Sequence, residues 1–392
     1  MVDLKKEIKL SDLVPRSKKT KRPAGPLPPN GASSKRRKAK KQELVGLKVG
    51  ASQIAAARVM NNGGQPRLLQ LARQPLEPGV IVAGEVRDVP ALARALERLF
   101  TEHKLPRRGI RVGIGTNRIG VRSLEVQGVE DERQLANAVR FRAHEALAIP
   151  IEQAILDYHV ISATVDETGS VSRRVLLAAA YKEPIDHYIE AFRAANLELV
   201  GIDVEAFALL RAVAPEPVAS AEGVQAATVA LAIGHDRSTL AVSDGTVCDF
   251  MRVLEWGGSK LEAAIARDLG LTFEEAAELK LSVSLEAEAD PDSHPAAMRA
   301  QAAVRRELQT LARELIASLQ FYQSQPGSLV LSEILITGGT TRMPGLAEEL
   351  ERLIRARVRV ADPLASVEVG KSAEGRDDLA SFAVAIGLGV ER

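Results

Sequence analysis

Cysteine is nearly absent: the 392 residues contain one, Cys248. A single thiol closes no internal disulfide, so the fold must be held by its core, as suits a reducing compartment. Set in an apolar run, Cys248 reads as a small buried side chain rather than a nucleophile. Aromatics are equally scarce at 3%, which leaves Leu, Val, Ile and Ala to fill the interior. The six histidines are scattered, with no HxxxH or CxxC spacing, so no metal centre is expected. Long hydrophobic runs are missing too. No segment reaches the ~18 apolar residues that span a bilayer. No apolar h-region follows the basic N-terminus, so no secretory signal is expected. Together these absences point to a cytoplasmic protein whose membrane association, if any, is peripheral.

What is present is unevenly distributed. A hydrophobic fraction of 46% is ample for a sizeable core, and the length leaves room for more than one domain. The net charge of +1 hides an asymmetry. Residues 1–43 carry fourteen Lys or Arg against four Asp or Glu, and the remainder carries 38 against 47. A basic tail therefore precedes an acidic body. Its clusters, Lys18-Lys19-Thr20-Lys21-Arg22 and Lys35-Arg36-Arg37-Lys38-Ala39-Lys40-Lys41, flank a proline-rich stretch from Pro23 to Pro29. Such a segment cannot bury a core and is expected to be disordered. It reads first as a solvated tail, and next as an electrostatic contact for an anionic membrane surface, worth ~1 kcal/mol per basic residue. No aromatic is interleaved to stack on bases, so no nucleic acid is expected. An apolar island with Ile8, Leu10, Leu13 and Val14 reads either as a short docking motif or as chance composition.

Globular patterning begins at Leu44. A strand enters a glycine turn at Gly50 and returns as a second strand, Ile54 to Met60, with a third at Leu68 to Arg73. Helical spacing follows from Val89 to His103. Residues 109–182 form a compact α+β unit: strands at Ile110–Ile114 and Val121–Val126, a helix from Asp131 to Leu147, and strands at Ile155–Ile161 and Arg174–Tyr181. A helix (Glu183–Ala195), a strand (Leu197–Asp203) and a helix (Ala206–Val213) come next. Pro215, Pro217 and Gly223 mark a break. The pattern then restarts at Ala227 with strand, turn through Gly234, strand, and a third strand from Thr246 to Leu254. Gly257-Gly258 opens a helix, a second starts near Phe273, and a long one covers residues 295–324. The apolar run Ile334-Leu335-Ile336 then ends in Thr337-Gly338-Gly339-Thr340, a strand, glycine turn and helix start where backbone amides can meet a phosphate or a purine face. The C-terminal run from Phe382 reads as a core helix.

The two halves share an order, strand–glycine turn–strand–strand–helix. The expected fold is therefore α/β with two duplicated domains around a cleft. Residues 1–43 form the tail, 44–222 the first domain with the inserted unit at about 109–182, and 223–392 the second with a helical subdomain at about 257–327.

The glycine turns in this order resemble the actin-like ATPase fold. Within it the chain is similar to the PilM family of type IV pilus assembly and to the related division protein FtsA, from Leu44 to the C-terminus. The motifs that carry the resemblance are Ile149-Pro150 to Leu156-Asp157-Tyr158, Val175 to Ala180, Gly201-Ile202-Asp203-Val204-Glu205-Ala206-Phe207 to Ala212, Ala276-Ala277-Glu278-Leu279-Lys280, and Ser318-Leu319-Gln320-Phe321-Tyr322. The resemblance implies a first phosphate loop at Gly50, Ala51, Ser52 and Gln53. It implies a second at Gly234 to Thr239, with Gly234, His235, Ser238 and Thr239 as its contacts. Gly338, Gly339 and Thr340 would face the adenosine, and Glu278 and Lys280 would approach the base and ribose. The unit 109–182 would be the subdomain that PilM and FtsA share.

Two departures matter. The family's acidic positions beside the phosphate loops are Lys48 and Ala232 here. A lysine repels magnesium and can salt-bridge a phosphate directly. Asp236 and Asp203 remain nearby, read as a turn former and a helix cap. The resemblance thus implies a cleft able to hold ATP weakly or structurally, with no metal site and no catalytic residue assigned, so magnesium-assisted hydrolysis is not expected. The function it implies is a cytoplasmic scaffold at the inner face of the membrane. Such a scaffold docks the N-terminal peptide of a PilN-like membrane protein and links it to pilus motor ATPases. The alternatives are an active actin-like ATPase and an FtsA-like membrane tether.

Overall fold

The computed structural model describes residues 42–391 except 130, 148, 166–169, 215–225, 246, 288–294 and 371–374. The basic tail and the break at Pro215, Pro217 and Gly223 lie outside the described residues.

In the first half, β1 (Gln42–Val49), β2 (Gln53–Asn61) and β3 (Arg67–Pro75) form an antiparallel meander. A ribbon of β4 (Ile81–Val82) and β5 (Glu85–Val86) leads to α1 (Val89–Glu102). Asp88 caps that helix by accepting from the Ala91 amide at 2.8 Å. β6 (Ile110–Ile114) joins β1 in parallel. The inserted unit follows: β7 (Ile119–Gln127), α2 (Glu132–Ala146), β8 (Ala154–Val165) and β9 (Val171–Tyr181), a three-stranded sheet of order β7-β9-β8. It has its own core, in which Leu135, Val139 and Ala143 of α2 meet Val126, Val175 and Leu177. α3 (Lys182–Ala194) returns the chain to β10 (Leu199–Val204), parallel to β6, and α4 (Glu205–Val213) closes the half.

The second half repeats the plan. β11 (Ala226–Ile233), β12 (Ser238–Ser243) and β13 (Cys248–Leu254) form a second meander. Three helices follow, α5 (Gly258–Leu269), α6 (Phe273–Ser282) and α7 (Pro295–Gln323). β14 (Val330–Thr337) pairs in parallel with β11, and after α8 (Leu346–Ile354) β15 (Val358–Val360) pairs in parallel with β14. The sheet orders β3-β2-β1-β6-β10 and β13-β12-β11-β14-β15 correspond strand by strand. This is the two-fold α/β architecture expected from the sequence. Cys248 is buried in β13, where burial pushes its thiol pKa up, as befits an inert core residue. Among the described residues no helix is long and apolar enough to cross a membrane.

The last segment crosses back to the first half. β16 (Glu368–Val369) pairs with β3, and α9 (Ala383–Gly389) lies on β1, β2 and β6, so the chain returns to the first sheet. The physical reason is visible in the sequence of α9. Ala383, Val384, Ala385, Ile386 and Leu388 leave no polar face, so the helix needs cover all round. The first sheet and α4 supply it. α4 occupies the same layer and reaches β11, β12 and β13. Each half thus ends in a helix that packs on the other half's sheet. The two helices touch backbone to backbone: a Cβ on Gly387 would stand 1.8 Å from the Ala208 carbonyl. Polar side chains seal the end of α9. Arg111 donates to the Leu388 and Val390 carbonyls at 3.2 Å each, Arg211 to Gly387 at 2.9 Å, and Asn61 to Gly389 at 2.9 Å.

Ile386 is fully buried in this layer whereas Phe273 on α6 is largely exposed. Ile386→Ala should cost ~2–5 kcal/mol of stability, the range for buried aliphatic truncations. Phe273→Ala should change stability little, and denaturant unfolding of the two variants side by side measures the contrast.

Candidate functional site

The two meanders turn through equivalent four-residue loops. Val49 faces Ile54 across the first and Ile233 faces Ser238 across the second. The Gly50 amide donates to the Gln53 carbonyl at 2.9 Å, and the Gly234 amide to the Arg237 carbonyl at 3.0 Å. Residues 50–53 therefore correspond to 234–237, and Lys48 corresponds to Ala232. The two turns face each other across a cavity of about 270 Å³ between the halves.

Of the residues singled out in the sequence, Gly50, Ala51, Ser52, Gln53, Gly234, His235, Thr239, Lys280, Gly338, Gly339 and Thr340 all line this cavity. Two do not. Ser238 is fully buried and its hydroxyl donates to the Trp256 carbonyl at 2.7 Å, away from the cleft. It opens β12 rather than sitting in the loop, and alternation along the strand sends it to the opposite face from Thr239. Glu278 is exposed and lies outside the cavity lining. It is two residues from Lys280, so on a helix the two cannot share a face.

The glycine turn at 337–340 is tightly specified. Gly338 has φ +106°, and a Cβ there would stand 2.1 Å from the Ile233 carbonyl. Only glycine meets both conditions. Its amide donates to the Ala380 carbonyl at 3.1 Å, and the Thr341 hydroxyl caps the turn by donating to the Gly338 carbonyl at 2.8 Å. Gly339 by contrast faces open space, with nothing within 4 Å of a built Cβ. At the other end, the first amides of α5 tie it to the second loop: Gly258 donates to Gly234 at 2.9 Å and Ser259 to His235 at 2.8 Å. Lys280 reaches the cleft beside Thr340 and Gly258, and is paired with Glu262.

Three residues at the phosphate end were not named as contacts in the sequence reading. Glu205, the first residue of α4, lines the cavity and is buried. It accepts from the Thr239 hydroxyl at 3.2 Å, and its Oε2 lies 3.8 Å from the Lys48 amine. Gly113 and Gly115 at the end of β6 leave it room, since a Cβ on Gly115 would stand 2.7 Å from Oε2. Arg237, in the second loop, ion-pairs with Asp236 at 3.2 Å and extends across the cleft towards Gly84. Its Nη1 is buried with no hydrogen-bond partner. Gly84 is the third, on the opposite wall. The signal that would have found Glu205 is its place immediately after β10, inside the quoted Gly201 to Ala212 motif. Asp203, read from the sequence as a helix cap, is buried under α9 in an ion pair with Arg211, and α4 has no side-chain cap.

The donor set suits an anion. Lys48, Arg237 and Lys280 bring positive charge, the two loops bring amides, and Arg237 holds an orphaned N–H that a phosphate oxygen would satisfy. It does not suit magnesium. Lys48 and Ala232 stand at the two strand ends, and the remaining carboxylates, Glu205 and Asp236, face Lys48 and Arg237. Among the described residues no group of three or more His, Cys, Asp or Glu is placed to hold a metal ion.

The family model described as type IV pilus assembly protein PilM matches residues 46–392. The chain belongs to the PilM family. A solved PilM-PilN type IV pilus biogenesis complex is similar to it at 27% identity, covering 89% of this chain and 98% of that one, with a TM-score of 0.71. More distant structures share the fold. The ethanolamine utilization protein EutJ of Carboxydothermus hydrogenoformans gives 15% identity over 98% of this chain and 94% of its own, TM-score 0.50. MreB 5 of Spiroplasma citri, solved with AMPPNP, gives 11% identity over 88% and 94%, TM-score 0.53. A PilM-family member with the actin-like architecture is what the sequence motifs led one to expect.

The contrast between the two adjacent glycines is testable. Gly338→Ala should lower the melting temperature by several degrees, since the backbone must shift, while Gly339→Ala should leave it unchanged. Thermal unfolding followed by circular dichroism distinguishes them.

Proposed function

We propose that this protein is a scaffold of the type IV pilus assembly machine. Its globular body docks the cytoplasmic N-terminal peptide of a PilN-like inner-membrane protein and links it to the pilus motor ATPases. Its basic tail contacts the anionic inner face of the membrane, and its cleft holds ATP without hydrolysing it efficiently. The observation that carries the reading is the similarity to PilM of the PilM-PilN complex, which extends over nearly the whole of both chains. MreB 5, which shares the fold, was solved with AMPPNP, and the basic groups and loop amides that line the cleft here support a nucleotide in this chain as well.

When bound, the nucleotide would bridge the two halves and hold them at one separation. The protein's own groups do the rest. The loop amides orient the phosphates, Lys48 and Arg237 neutralise them, and Gly339 and Thr340 border the nucleoside end. A working ATPase is the second reading, and Glu205 is the observation in its favour, since a buried carboxylate beside the phosphate loops can take a proton from water. Lys48 and Thr239 engage that carboxylate and count against it. A membrane tether is disfavoured because α9 is buried against the first sheet and α4 and offers no face to lipid.

Titration of the full chain with the N-terminal peptide of the organism's PilN-type protein should show saturable binding and a raised melting temperature. Failure to bind any inner-membrane pilus protein would contradict the scaffold reading.

A further inference from the structure

Two cations cross the cleft in opposite directions. Lys48, at the end of β1 in the first half, brings its amine within 3.9 Å of where a Cβ on Gly234 of the second loop would stand. Arg237, from the second loop, brings Nη1 within 3.2 Å of where a Cβ on Gly84 of the first half would stand. Each therefore lies where a ligand spanning both loops would pass.

Neither is satisfied by its protein partner. The Lys48 amine is 3.8 Å from Glu205, beyond hydrogen-bond reach. Arg237 donates to Asp236 through Nε, and its Nη1 is buried with no partner. A buried guanidinium nitrogen without an acceptor is costly unless a ligand supplies one. The guanidinium fork and the lysine point charge are the two side-chain forms that proteins use against phosphate. The carboxylates nearby cannot assemble around a divalent ion, because Glu205 has an ammonium group beside it and Asp236 a guanidinium.

We infer that the cleft takes the polyphosphate of a nucleotide without any divalent cation, Lys48 and Arg237 supplying from opposite walls the positive charge that a metal would otherwise provide. The inference rests on the proposed nucleotide cleft and adds to it the ionic form of the ligand: free ATP rather than its magnesium complex. It also gives the two residues a mechanical role. A ligand held by both pulls the two halves together, because each cation is anchored in the half opposite to the surface it reaches.

Calorimetric titration of the full-length protein with ATP, once in EDTA and once in magnesium, tests this. Binding in EDTA should be at least as tight as in magnesium. Lys48→Ala and Arg237→Gln should each weaken binding in EDTA by roughly tenfold, the loss expected for one charge-assisted contact. Lys48→Asp should make binding depend on magnesium. Ligand-free melts must match the wild type for a variant to count, and the two substitutions lie in different halves, so one misfolded variant leaves the other informative. Wild-type binding in magnesium that EDTA abolishes overturns the inference and leaves the nucleotide reading intact. Unchanged affinity in folded Lys48→Ala and Arg237→Gln overturns the assigned roles. Binding in neither condition overturns the nucleotide reading itself.

Discussion

The contact between α4 and α9 is the constraint on which the rest of the structure depends. Gly387 lies so close to the Ala208 carbonyl that any side chain there would collide with backbone. On the other side of α9, a Cβ on Gly46 of β1 would stand 2.1 Å from the Ala385 carbonyl. Close approach of this kind fixes distance and crossing angle more firmly than side-chain packing, since no rotamer can absorb a shift. Because each helix closes one half and packs on the sheet of the other, the contact sets how the two sheets face each other. One apolar cluster includes Leu209 of α4, Leu388 of α9 and Ala230, Ala241 and Leu335 of the second sheet.

The cleft inherits its geometry from that contact. α4 begins with Glu205, so the helix that joins the halves also plants a carboxylate among the phosphate loops. The hairpin turns above it are equivalent by the duplicated topology. The charge they carry is not equivalent, because Lys48 on one side corresponds to Ala232 on the other. At one end of the cleft Gly338 is demanded by backbone geometry, whereas at the other Lys48 and Arg237 bring positive charge. A cleft with that balance suits an anion. It is poorly suited to polarising a phosphoryl group through a metal. The inserted unit is tied into the same frame: Arg174 of β9 bonds Asp249 of β13 at 2.9 Å, and Tyr322 of α7 bonds the other oxygen at 3.1 Å.

Much of this was readable from sequence, because periodicity and glycine turns survive wherever strands are buried. The meanders, the long α7 and the α+β unit appeared with nearly their observed bounds, and the repeated strand–turn–strand order disclosed the duplication. What escaped depended on long-range contacts. The position of α9 on the first sheet could be read only as a need for burial, with no indication of which surface supplies it. Ser238 and Thr239 are neighbours in sequence, yet the strand sends one to Trp256 and the other to Glu205. Glu278 was expected beside Lys280 at the base and ribose and lies on another face of α6. Asp203 looked like a cap until the distant Arg211 and α9 enclosed it. In each case a local pattern was right about the element and silent about the partner.

The claim that this cleft binds without turning over is tested most directly by phosphate release from ATP in magnesium, with the full-length protein alone and with its membrane partner's peptide. The account predicts no release above background in either condition. Magnesium-dependent turnover that Lys48→Ala or Glu205→Gln abolishes would contradict it.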